Sequence, residues 1–366
     1  MHVLHVVGAR PNFMKVAPVY KALAARPQFT QTLVHTGQHY DPSLSDIFFD
    51  QLSIPRPDVC LDVGSGSHAV QTANVMLRFE QTMKEKNPDV VLVYGDINST
   101  VAATLVAAKE GVCVCHVEAG LRSRDRSMPE ELNRLVTDQL ADLLFTPSPE
   151  ADINLINEGI DKSKIHYVGN VMIDTALQLA EKATMPKVEG LNGEFALLTM
   201  HRPSNVDDPQ VLQQLMNKIV QLSEQLEVVF PVHPRTKSRL EAIGFQDQHT
   251  GLHLIDPIGY LECLALQRCA KIVMTDSGGL QEETTAFGVP CLTIRENTER
   301  PVTISEGTNT LVGTDTDLLE REFLKVLRGE GKVGRVPDKW DGKASDRIAD
   351  TLLAEIAVPS HKRAAA

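Results

Sequence analysis

Short apolar runs alternate with amphipathic segments along nearly the whole chain. In its first half, the runs of strand length are VLHVV, TLVHT, VVLVY, VCVCHV, DLLFT and KIHYVG, at 3–7, 32–36, 90–94, 112–117, 142–146 and 164–169. Between them, the spacing of apolar residues predicts helices that include 13–25, 69–85, 99–110 and 131–140. Strand–helix alternation of this kind predicts a parallel sheet with right-handed crossovers.

The same alternation restarts after the less apolar segment 181–194. The new strands are FALLTM, VVFPV, LHLI, KIVMT and VPCLTI, at 195–200, 228–232, 252–255, 271–275 and 289–294. The fold class is therefore α/β, with two doubly wound parallel-sheet domains predicted at 1–175 and 176–343. A last helix, at about 344–358, follows the second set of strands and is predicted to pack back on the first domain.

Composition narrows the class of protein. The 42% hydrophobic and 23% charged residues are typical of a globular domain, and a net charge of −12 argues against a nucleic-acid or anionic-membrane surface. The apolar runs are strand-sized, far shorter than the roughly 20 residues of a membrane helix. None of the six cysteines forms a Cys-x-x-Cys pair, so we expect buried, reduced thiols. A cytoplasmic enzyme without a metal fits these features.

Polar residues gather where the predicted strands of the first half end. Arg10 and Lys15 follow strand 3–7 across a glycine–proline turn, and Gln38 and His39 follow strand 32–36. The next two strand ends carry Asp96 and Glu118. After Glu118 comes a segment, at 119–134, in which further carboxylates and guanidiniums alternate: Arg122, Arg124, Arg126, Glu130, Glu131 and Arg134.

The second half repeats this arrangement. Its strand ends lead into His201-Arg202, His233 and the turn Asp276-Ser277-Gly278-Gly279, and a charged loop reaches Arg300. Backbone N–H groups of a small-residue turn at a helix start bind phosphate, and Glu283, one turn into that helix, is placed to hold ribose hydroxyls. Ligands of such sheets lie at the carboxyl ends of the strands. We therefore predict a nucleoside diphosphate site.

A second glycine motif, Gly64-x-Gly66-x-x-Ala69, has the outline of a dinucleotide fingerprint. It does not open the first strand–helix unit, and no acidic residue ends a strand about 20 positions later, as a ribose contact would require. A tight loop at a helix start is the favoured interpretation.

The order of the motifs resembles one known family. GARPNFMK, TGQH, GDINST, HVEAGLRS, PEELNR, HRPSN, PVHPRT, DSGGLQEE, RENTERPVT and EGTNTLVG, from residue 4 to about 313, are similar to segments of the nonhydrolysing UDP-N-acetylglucosamine 2-epimerases. The resemblance implies a GT-B fold, with two Rossmann-like domains and the active site in the cleft between them. It also implies a homodimer, a UDP-sugar substrate, and no nicotinamide or metal cofactor.

The resemblance further implies a reaction and a set of site residues. The family interconverts UDP-N-acetylglucosamine and UDP-N-acetylmannosamine by eliminating UDP to give 2-acetamidoglucal and then adding UDP back. Asp96, Glu118 and Glu130 match its acid/base carboxylates, and His201 matches a histidine near the pyrophosphate. The substrate contacts implied with them are Arg10, Lys15, Arg122, Glu131, Arg202, His233, Ser277, Gly278, Gly279, Glu283 and Arg300.

Some members are activated by a second UDP-sugar molecule through glutamines near TGQH. Gln38 and His39 are the matching candidates for an allosteric site here. Asp41 stands where such members have the second glutamine, so this chain departs from the pattern.

The sequence leaves four alternative functions open. The nearest is a 2-epimerase of another UDP-2-acetamido sugar, such as UDP-2,3-diacetamido-glucuronic acid, and a GT-B glycosyltransferase is another. A hydrolysing epimerase would resemble the chain over the same motifs. A catalytically silent UDP-sugar sensor would lose one of the three acid/base carboxylates, all of which are present.

Overall fold

The computed structural model describes residues 1–37, 49, 51–246 and 251–356. The chain divides into two compact units, one of Met1–Thr175 with Asp338–Ala366 and the other of Ala176–Pro337. The sequence placed the end of the second domain at 343, whereas the chain rejoins the first unit at Asp338.

The described part of the first unit has a seven-stranded parallel sheet of order β3-β2-β1-β4-β5-β6-β7. Its strands are β1 (His2–Val7), β2 (Thr30–His35), β3 (Val59–Cys60), β4 (Val90–Tyr94), β5 (Cys113–Val117), β6 (Leu143–Thr146) and β7 (Ile165–Tyr167). The helices are α1 (Arg10–Ala24), α2 (His68–Lys86), α3 (Asn98–Lys109), α4 (Pro129–Leu140) and α5 (Pro149–Asn157). The division between the units falls within α6 (Val171–Ala180). The chain returns to the first unit at Asp338 and adds its last helix, α14 (Ala344–Ile356).

The central strands of this sheet are buried on both faces. All five residues of β4, VVLVY, are buried, which is why its apolar run is continuous rather than alternating. Val91 and Val93 pack in one core with Phe79 of α2 and Ala102 of α3. The strand order reverses between β1 and β4, so the loops that leave these two strands flank a switch point where α/β sheets bind ligands.

The described part of the second unit has a six-stranded parallel sheet of order β10-β9-β8-β11-β12-β13. The strands are β8 (Phe195–Thr199), β9 (Glu227–Pro231), β10 (Leu252–Ile255), β11 (Ile272–Thr275), β12 (Cys291–Thr293) and β13 (Asn309–Leu311). The helices are α7 (Pro203–Val206), α8 (Pro209–Ser223), α9 (Pro234–Ala242), α10 (Tyr260–Cys269), α11 (Gly278–Phe287), α12 (Val302–Ser305) and α13 (Thr316–Leu327). Here the switch point lies between β8 and β11.

Two strands were not predicted from the pattern. Strand β3 has two residues and β13 has three, at one edge of each sheet, and neither stretch is long enough to show a period of its own. The thiols also differ from expectation, because Cys60 and Cys269 are exposed although all six cysteines are free. None of the described helices combines the length and apolar content needed to cross a membrane.

Helix α14 is fastened to the first unit by polar contacts as well as by packing on α1. The carboxylate of Asp174 is fully buried and accepts hydrogen bonds from the backbone N–H groups of Ala344, at 3.1 Å, and Ser345, at 2.7 Å. The indole of Trp340 donates to the carbonyl of Pro147 at 2.9 Å. One side chain thus caps the start of a helix more than 150 residues away in sequence.

We expect Asp174→Ala to lower the free energy of unfolding by about 1–3 kcal/mol, because two buried amides lose their acceptor. Urea unfolding followed by circular dichroism measures this loss. The matched control is Asp346→Ala. Asp346 lies in the first turn of α14, the helix that Asp174 caps, but its side chain is 56% exposed and pairs with Arg26 at 3.3 Å. Its effect should stay within about 0.5 kcal/mol. Equal effects of the two variants would contradict the capping role.

Candidate active site

Two carboxylates follow neighbouring strands, β4 and β5, beside the switch point of the first unit. Strands β4 and β5 pair in parallel with Tyr94 opposite Val117, so the residues that follow, Asp96 and Glu118, leave adjacent strand ends. Glu118 has a φ of 74°, which a residue with a side chain adopts only when its surroundings impose it. Such outliers gather at functional sites, and this one carries an acid/base candidate.

Each of these carboxylates is paired with a cation. The ammonium of Lys15, on α1, contacts Glu118, and both side chains are almost completely buried. Asp96 is 31% exposed and accepts from Arg134 Nη1 at 2.5 Å. The structure therefore places the predicted Lys15 against Glu118 and orients Asp96 and Glu118 each by a cation.

The neighbouring acids Glu130 and Glu131 have different environments. Among the described residues, Glu130 has no hydrogen-bond or ion-pair partner, and it is partly exposed in the first turn of α4. Glu131 is buried and accepts from the backbone N–H groups of Ser123 and Arg124, each at 2.9 Å, and from Arg134 Nη2 at 2.8 Å. Burial opposes ionisation of Glu131, but these donors outweigh it and lower its pKa. The geometry favours a structural role for Glu131, where the sequence predicted a substrate contact.

Arg122 is also held inside the protein. Its guanidinium lies 2.7 Å from Asp138 Oδ2 and donates to both carboxylate oxygens of Glu158, at 2.8 and 2.6 Å. Burial disfavours the charge of Arg122, yet the two carboxylates raise its pKa. Because its donors are used in this way, Arg122 supports the loop after β5 and is not placed as the substrate contact that the sequence predicted.

In the second unit, Asp276 organises the strand ends at the switch point. Its Oδ2 accepts from the backbone N–H groups of His201, at 2.9 Å, and Arg202, at 2.8 Å, and from Asn205 Nδ2 at 3.0 Å. His201 Nδ1 lies 3.1 Å from the other carboxylate oxygen. Burial opposes the ionisation of Asp276, and these contacts lower its pKa all the same.

The predicted histidines lie next to each other. The rings of His201 and His233 have centroids 5.7 Å apart, and the His201 side chain is 41% exposed. Partial desolvation, with the positive charge of His201 and Arg235 nearby, lowers the pKa of His233. A neutral His233 beside a His201 held by Asp276 leaves His201 as the better donor to an anionic ligand.

The turn Ser277-Gly278-Gly279 opens helix α11, as predicted. The first N–H groups of a helix have no acceptor within it and carry the positive end of its dipole. A Cβ placed on Gly278 would lie 2.6 Å from Arg300 Nη1, whereas nothing lies within 4 Å of a Cβ on Gly279. Gly278 is thus needed for the close approach of Arg300 to the helix start.

Arg300 belongs to a buried set of charges. It contacts Glu299 and lies 2.9 Å, through Nε, from Glu282 Oε1, while Arg295 Nη2 binds the other oxygen of Glu299 at 2.8 Å. Burial opposes the ionisation of Glu299, but Arg300 and Arg295 hold its pKa far below the usual range. A guanidinium is fixed in this way beside the amides of α11.

The predicted ribose contact, Glu283, is almost completely buried in α11. One of its oxygens accepts from Tyr260 Oη at 2.7 Å and the other from Gln267 Nε2 at 2.8 Å. Burial raises the pKa of Glu283 even though both donors favour its ionised form. Its carboxylate is therefore positioned by α10.

Arg202 donates through Nε to the carbonyl of Asp276 at 3.0 Å. Arg10 is the first residue of α1, but its side chain lies outside the described part of the structure, as do Gln38 and His39 entirely. The Gly64–Gly66 motif forms the loop before α2 and follows the edge strand β3 rather than the switch point. Within the described ranges, no three His, Cys, Asp or Glu side chains are grouped to bind a metal.

Sequence reasoning missed the residues that hold the site together. Arg134, Asp138, Asp276 and Glu299 are buried charges that orient the predicted residues. They fall inside the motifs or on helix α4, and the sequence signal for two of the pairs was the spacing of three residues from Glu131 to Arg134 and of four from Arg295 to Glu299.

Two parallel-sheet α/β units, each with polar strand ends at its switch point, define a GT-B-like protein. The chain belongs to the UDP-N-acetylglucosamine 2-epimerase family, whose members are isomerases and whose sequence model matches residues 21–353. It is 42% identical over 366 residues to a UDP-N-acetylglucosamine 2-epimerase homolog of Methanococcus maripaludis, with 96% of this chain and 99% of the relative covered.

Two further relatives bear on the substrate. The chain is 41% identical over 359 residues to the UDP-2,3-diacetamido-2,3-dideoxy-D-glucuronate 2-epimerase of Pseudomonas aeruginosa, covering 96% of this chain and 99% of that protein. The crystal structure of Methanocaldococcus jannaschii UDP-GlcNAc 2-epimerase, in complex with UDP-GlcNAc and UDP, matches with a TM-score of 0.85 and 38% identity. That match covers 97% of this chain and 100% of the other.

The depressed pKa of Glu299 predicts an acid-sensitive contribution to stability. Ionised Glu299 stabilises the fold fully above its unfolded pKa of about 4.3, and this contribution is lost as the pH falls from there towards the lower folded value. The urea midpoint of the wild type should therefore exceed that of Glu299→Gln at pH 6, and the difference should shrink by pH 3. A difference that does not change with pH would contradict the predicted ionisation of Glu299.

Proposed function

We propose that the protein interconverts UDP-N-acetylglucosamine and UDP-N-acetylmannosamine without releasing free sugar, by elimination and re-addition of UDP through 2-acetamidoglucal. Family membership and the relative solved with UDP-GlcNAc and UDP support the substrate. The observation that carries the mechanism is the pair Asp96 and Glu118, two carboxylates on adjoining strand ends, each oriented by a cation.

The chemistry explains why paired carboxylates are needed. The hydrogen at C2 of the sugar is not acidic, so direct inversion of that carbon is difficult. In the elimination, a base takes the C2 proton while the C1–O bond breaks and its electrons leave with UDP, which forms a C1–C2 double bond. In the return step a proton is added to the opposite face of C2 and UDP attacks C1. Acid/base groups must therefore reach both faces of C2.

The carboxylates of the first unit supply these groups. Asp96 and Glu118 are oriented by their ion pairs with Arg134 and Lys15. Glu130 lacks a partner among the described residues and is partly exposed, so it is free to approach a ligand. We assign proton transfer at C2 to these three residues, and the ion pairs of Asp96 and Glu118 must open or shift for either to accept a proton.

The second unit holds the leaving group. The free amides at the start of α11 and the guanidinium of Arg300 bind the pyrophosphate, whose charge increases as the C1–O bond breaks. His201, oriented by Asp276, donates to the same anion. Glu283 accepts hydrogen bonds from the ribose hydroxyls. Its oxygens already accept from Tyr260 and Gln267, so one of them must accept a second hydrogen bond or give up the first.

One specific observation favours a second substrate. The Pseudomonas aeruginosa relative is named for a diacetamido uronic acid and is as similar to this chain as the N-acetylglucosamine enzymes are. That sugar carries an additional carboxylate, which calls for a cation. The loop after β5 contains two exposed arginines, Arg124 and Arg126, of the required charge.

Proton NMR of the purified protein in D₂O, with each sugar nucleotide in turn, tests the proposal. We expect UDP-N-acetylglucosamine to give UDP-N-acetylmannosamine with deuterium at C2 and little free sugar. Exchange with only the diacetamido uronic acid would mean that this sugar is the substrate and that the proposed reaction still holds. Release of free N-acetylmannosamine would show a hydrolysing enzyme, and no exchange with either sugar in protein that binds UDP would overturn the proposed activity.

We expect Asp96→Asn, Glu118→Gln and Glu130→Gln each to lower kcat by about 10²–10⁴-fold, since each removes a proton-transfer group. Initial rates of epimerisation and the Kd for UDP measure this, and the Kd should change little because UDP binds the second unit. Glu118→Gln also breaks a buried ion pair, so circular dichroism must show that it folds. The control is Asp125→Asn, whose hydrogen bonds to Ser127 serve only its own turn. Normal turnover in a folded variant would refute that residue's role.

We further propose that the protein is a homodimer that associates through α2 and α4. Their outer positions Val70, Leu77, Leu132 and Val136 are 51%, 65%, 47% and 40% exposed. Between these helices lies a groove of about 400 Å³ with small side chains, Ala69 and Ala73, on its α2 wall. Protruding and recessed apolar groups on one surface suit a two-fold contact between identical copies.

Charge also favours a second copy as the occupant. Copies with a net charge of −12 repel one another, so a contact between them needs a face without acids, and 68–77 contains no Asp, Glu, Lys or Arg. The groove borders the candidate site, because Asn133, which lines it, donates to the carbonyl of Asp96 at 2.9 Å. Association would therefore also support the loop that carries Asp96.

Light scattering after size exclusion should give twice the chain mass for the wild type. A charge introduced at the contact, in Leu77→Glu or Leu132→Glu, should give monomers. The control Val333→Glu lies in the second unit at a position that is 96% exposed, and it should stay dimeric. A dimer that withstands both contact substitutions would show that another surface associates.

A further inference from the structure

His116 lies at the end of β5, two residues before Glu118, and its side chain is fully buried. Both of its ring nitrogens face oxygen atoms. Nδ1 lies 2.6 Å from Asp138 Oδ1, and Nε2 lies 2.8 Å from the carbonyl oxygen of Gly95. A carbonyl oxygen can only accept, so Nε2 must carry a proton.

The proton between Nδ1 and Asp138 can be assigned from the other contacts of the carboxylate. Asp138 Oδ2 accepts from the backbone N–H of Gly120 at 3.1 Å and lies 2.7 Å from Arg122 Nη1. Two donors other than His116 thus point at this carboxylate, and hydrogen bonds and a nearby cation favour its ionised form. The carboxylate is therefore ionised, and Nδ1 donates to it.

We propose that His116 carries a proton on both ring nitrogens, each donated to an oxygen atom, and acts as a positioning residue for Asp96 and Glu118. The inference rests on the proposed function for its catalytic part, whereas the protonation state stands on the contacts alone. The buried charge is balanced, because His116 and Arg122 are matched by Asp138 and Glu158. A neutral set of this kind can be buried when its hydrogen bonds are satisfied.

The contact with Gly95 is what links His116 to the carboxylates. Gly95 immediately precedes Asp96, and its N–H donates to the carbonyl of Val117 at 3.0 Å while its carbonyl accepts from His116. The peptide groups of Gly95 are thus held on both sides by β5. A Cβ on Gly95, whose φ is 62°, would lie 2.6 Å from Lys15 Nζ and 3.3 Å from Glu118 Oε2. The separation of Asp96 and Glu118 therefore depends on where His116 holds Gly95.

The ionisable groups around the ring explain why it stays charged. The ring contacts Asp138 of α4, whose other oxygen lies beside Arg122, and Arg122 in turn pairs with Glu158. On the β4 side the ring meets the Gly95 carbonyl, an acceptor. Loss of the Nδ1 proton would leave a lone pair against a carboxylate. Loss of the Nε2 proton would leave one against a carbonyl. Either change breaks a buried hydrogen bond and leaves its acceptor without a donor.

The first test is ¹⁵N NMR of the histidine rings in the full chain. His116→Gln identifies the resonances of His116 among the 12 histidines. We expect two protonated ring nitrogens from pH 6 to pH 9, and a ring with one bare nitrogen at pH 7 would overturn the proposed charge. In Asp138→Asn the His116 ring should lose one of its two nitrogen-bound protons at a lower pH than in the wild type. An unchanged titration in that variant would also contradict the pairing.

The second test measures turnover. Displacing a reacting group by about 1 Å costs about 10²-fold in rate, so we expect His116→Gln to lower kcat to that extent while the KM for the UDP-sugar stays within about twofold. A purely structural residue would lower the yield of folded protein and leave kcat per folded molecule unchanged, and that result would refute positioning. His2→Gln is the control, since His2 begins strand β1, at the end of the sheet away from Asp96 and Glu118, and within the described residues its side chain hydrogen-bonds only to Thr32 Oγ1, at 2.9 Å.

The two tests separate the failure of each idea. If the wild type exchanges no proton at C2 of either sugar, the proposed function fails, while the ring resonances still decide the charge of His116. If the wild type epimerises and the ring is neutral, the positioning mechanism fails and the function stands.

Discussion

The parallel pairing of β4 with β5 is the constraint on which the first unit's chemistry depends. Five residues of each strand are aligned, from Val90 opposite Cys113 to Tyr94 opposite Val117, and both strands are buried by apolar side chains. A shift of one residue would turn every side chain to the other face of the sheet. The apolar core therefore sets the register, and the register sets the distance between the polar residues that follow each strand.

The second constraint is electrostatic. Three buried carboxylates near the strand ends each have a fixed cation or several N–H donors: Lys15 for Glu118, Arg134 for Glu131, and the amides of His201 and Arg202 for Asp276. Breaking one member of such a pair leaves an uncompensated buried charge, which is strongly destabilising. The charges at these sites thus keep one arrangement, and a reaction that moves protons and a pyrophosphate meets groups that are already oriented.

Much of the fold was predictable because long buried strands and amphipathic helices leave strong patterns. VVLVY and FALLT were correctly predicted as strands β4 and β8. The sequence also predicted that Asp96 and Glu118 follow strands of the first sheet and that His201 follows a strand of the second. The pattern could not show which charged residue faces inward. Glu130 and Glu131 are adjacent in sequence, yet one is partly exposed and the other is buried against Arg134, because a helix turns by about 100° per residue. Arg122 shows the same limit, since only the tertiary structure brings Asp138 and Glu158 to it.

The left-handed backbone of Glu118 has a consequence for how this sequence can change. Glycine or asparagine adopts that conformation at little cost, whereas a glutamate there stores strain of about 1–3 kcal/mol. Selection for stability alone would replace Glu118. Its presence is what the proton-transfer role proposed for it requires, and a sequence library screened only for thermal resistance would be expected to lose this residue among the first.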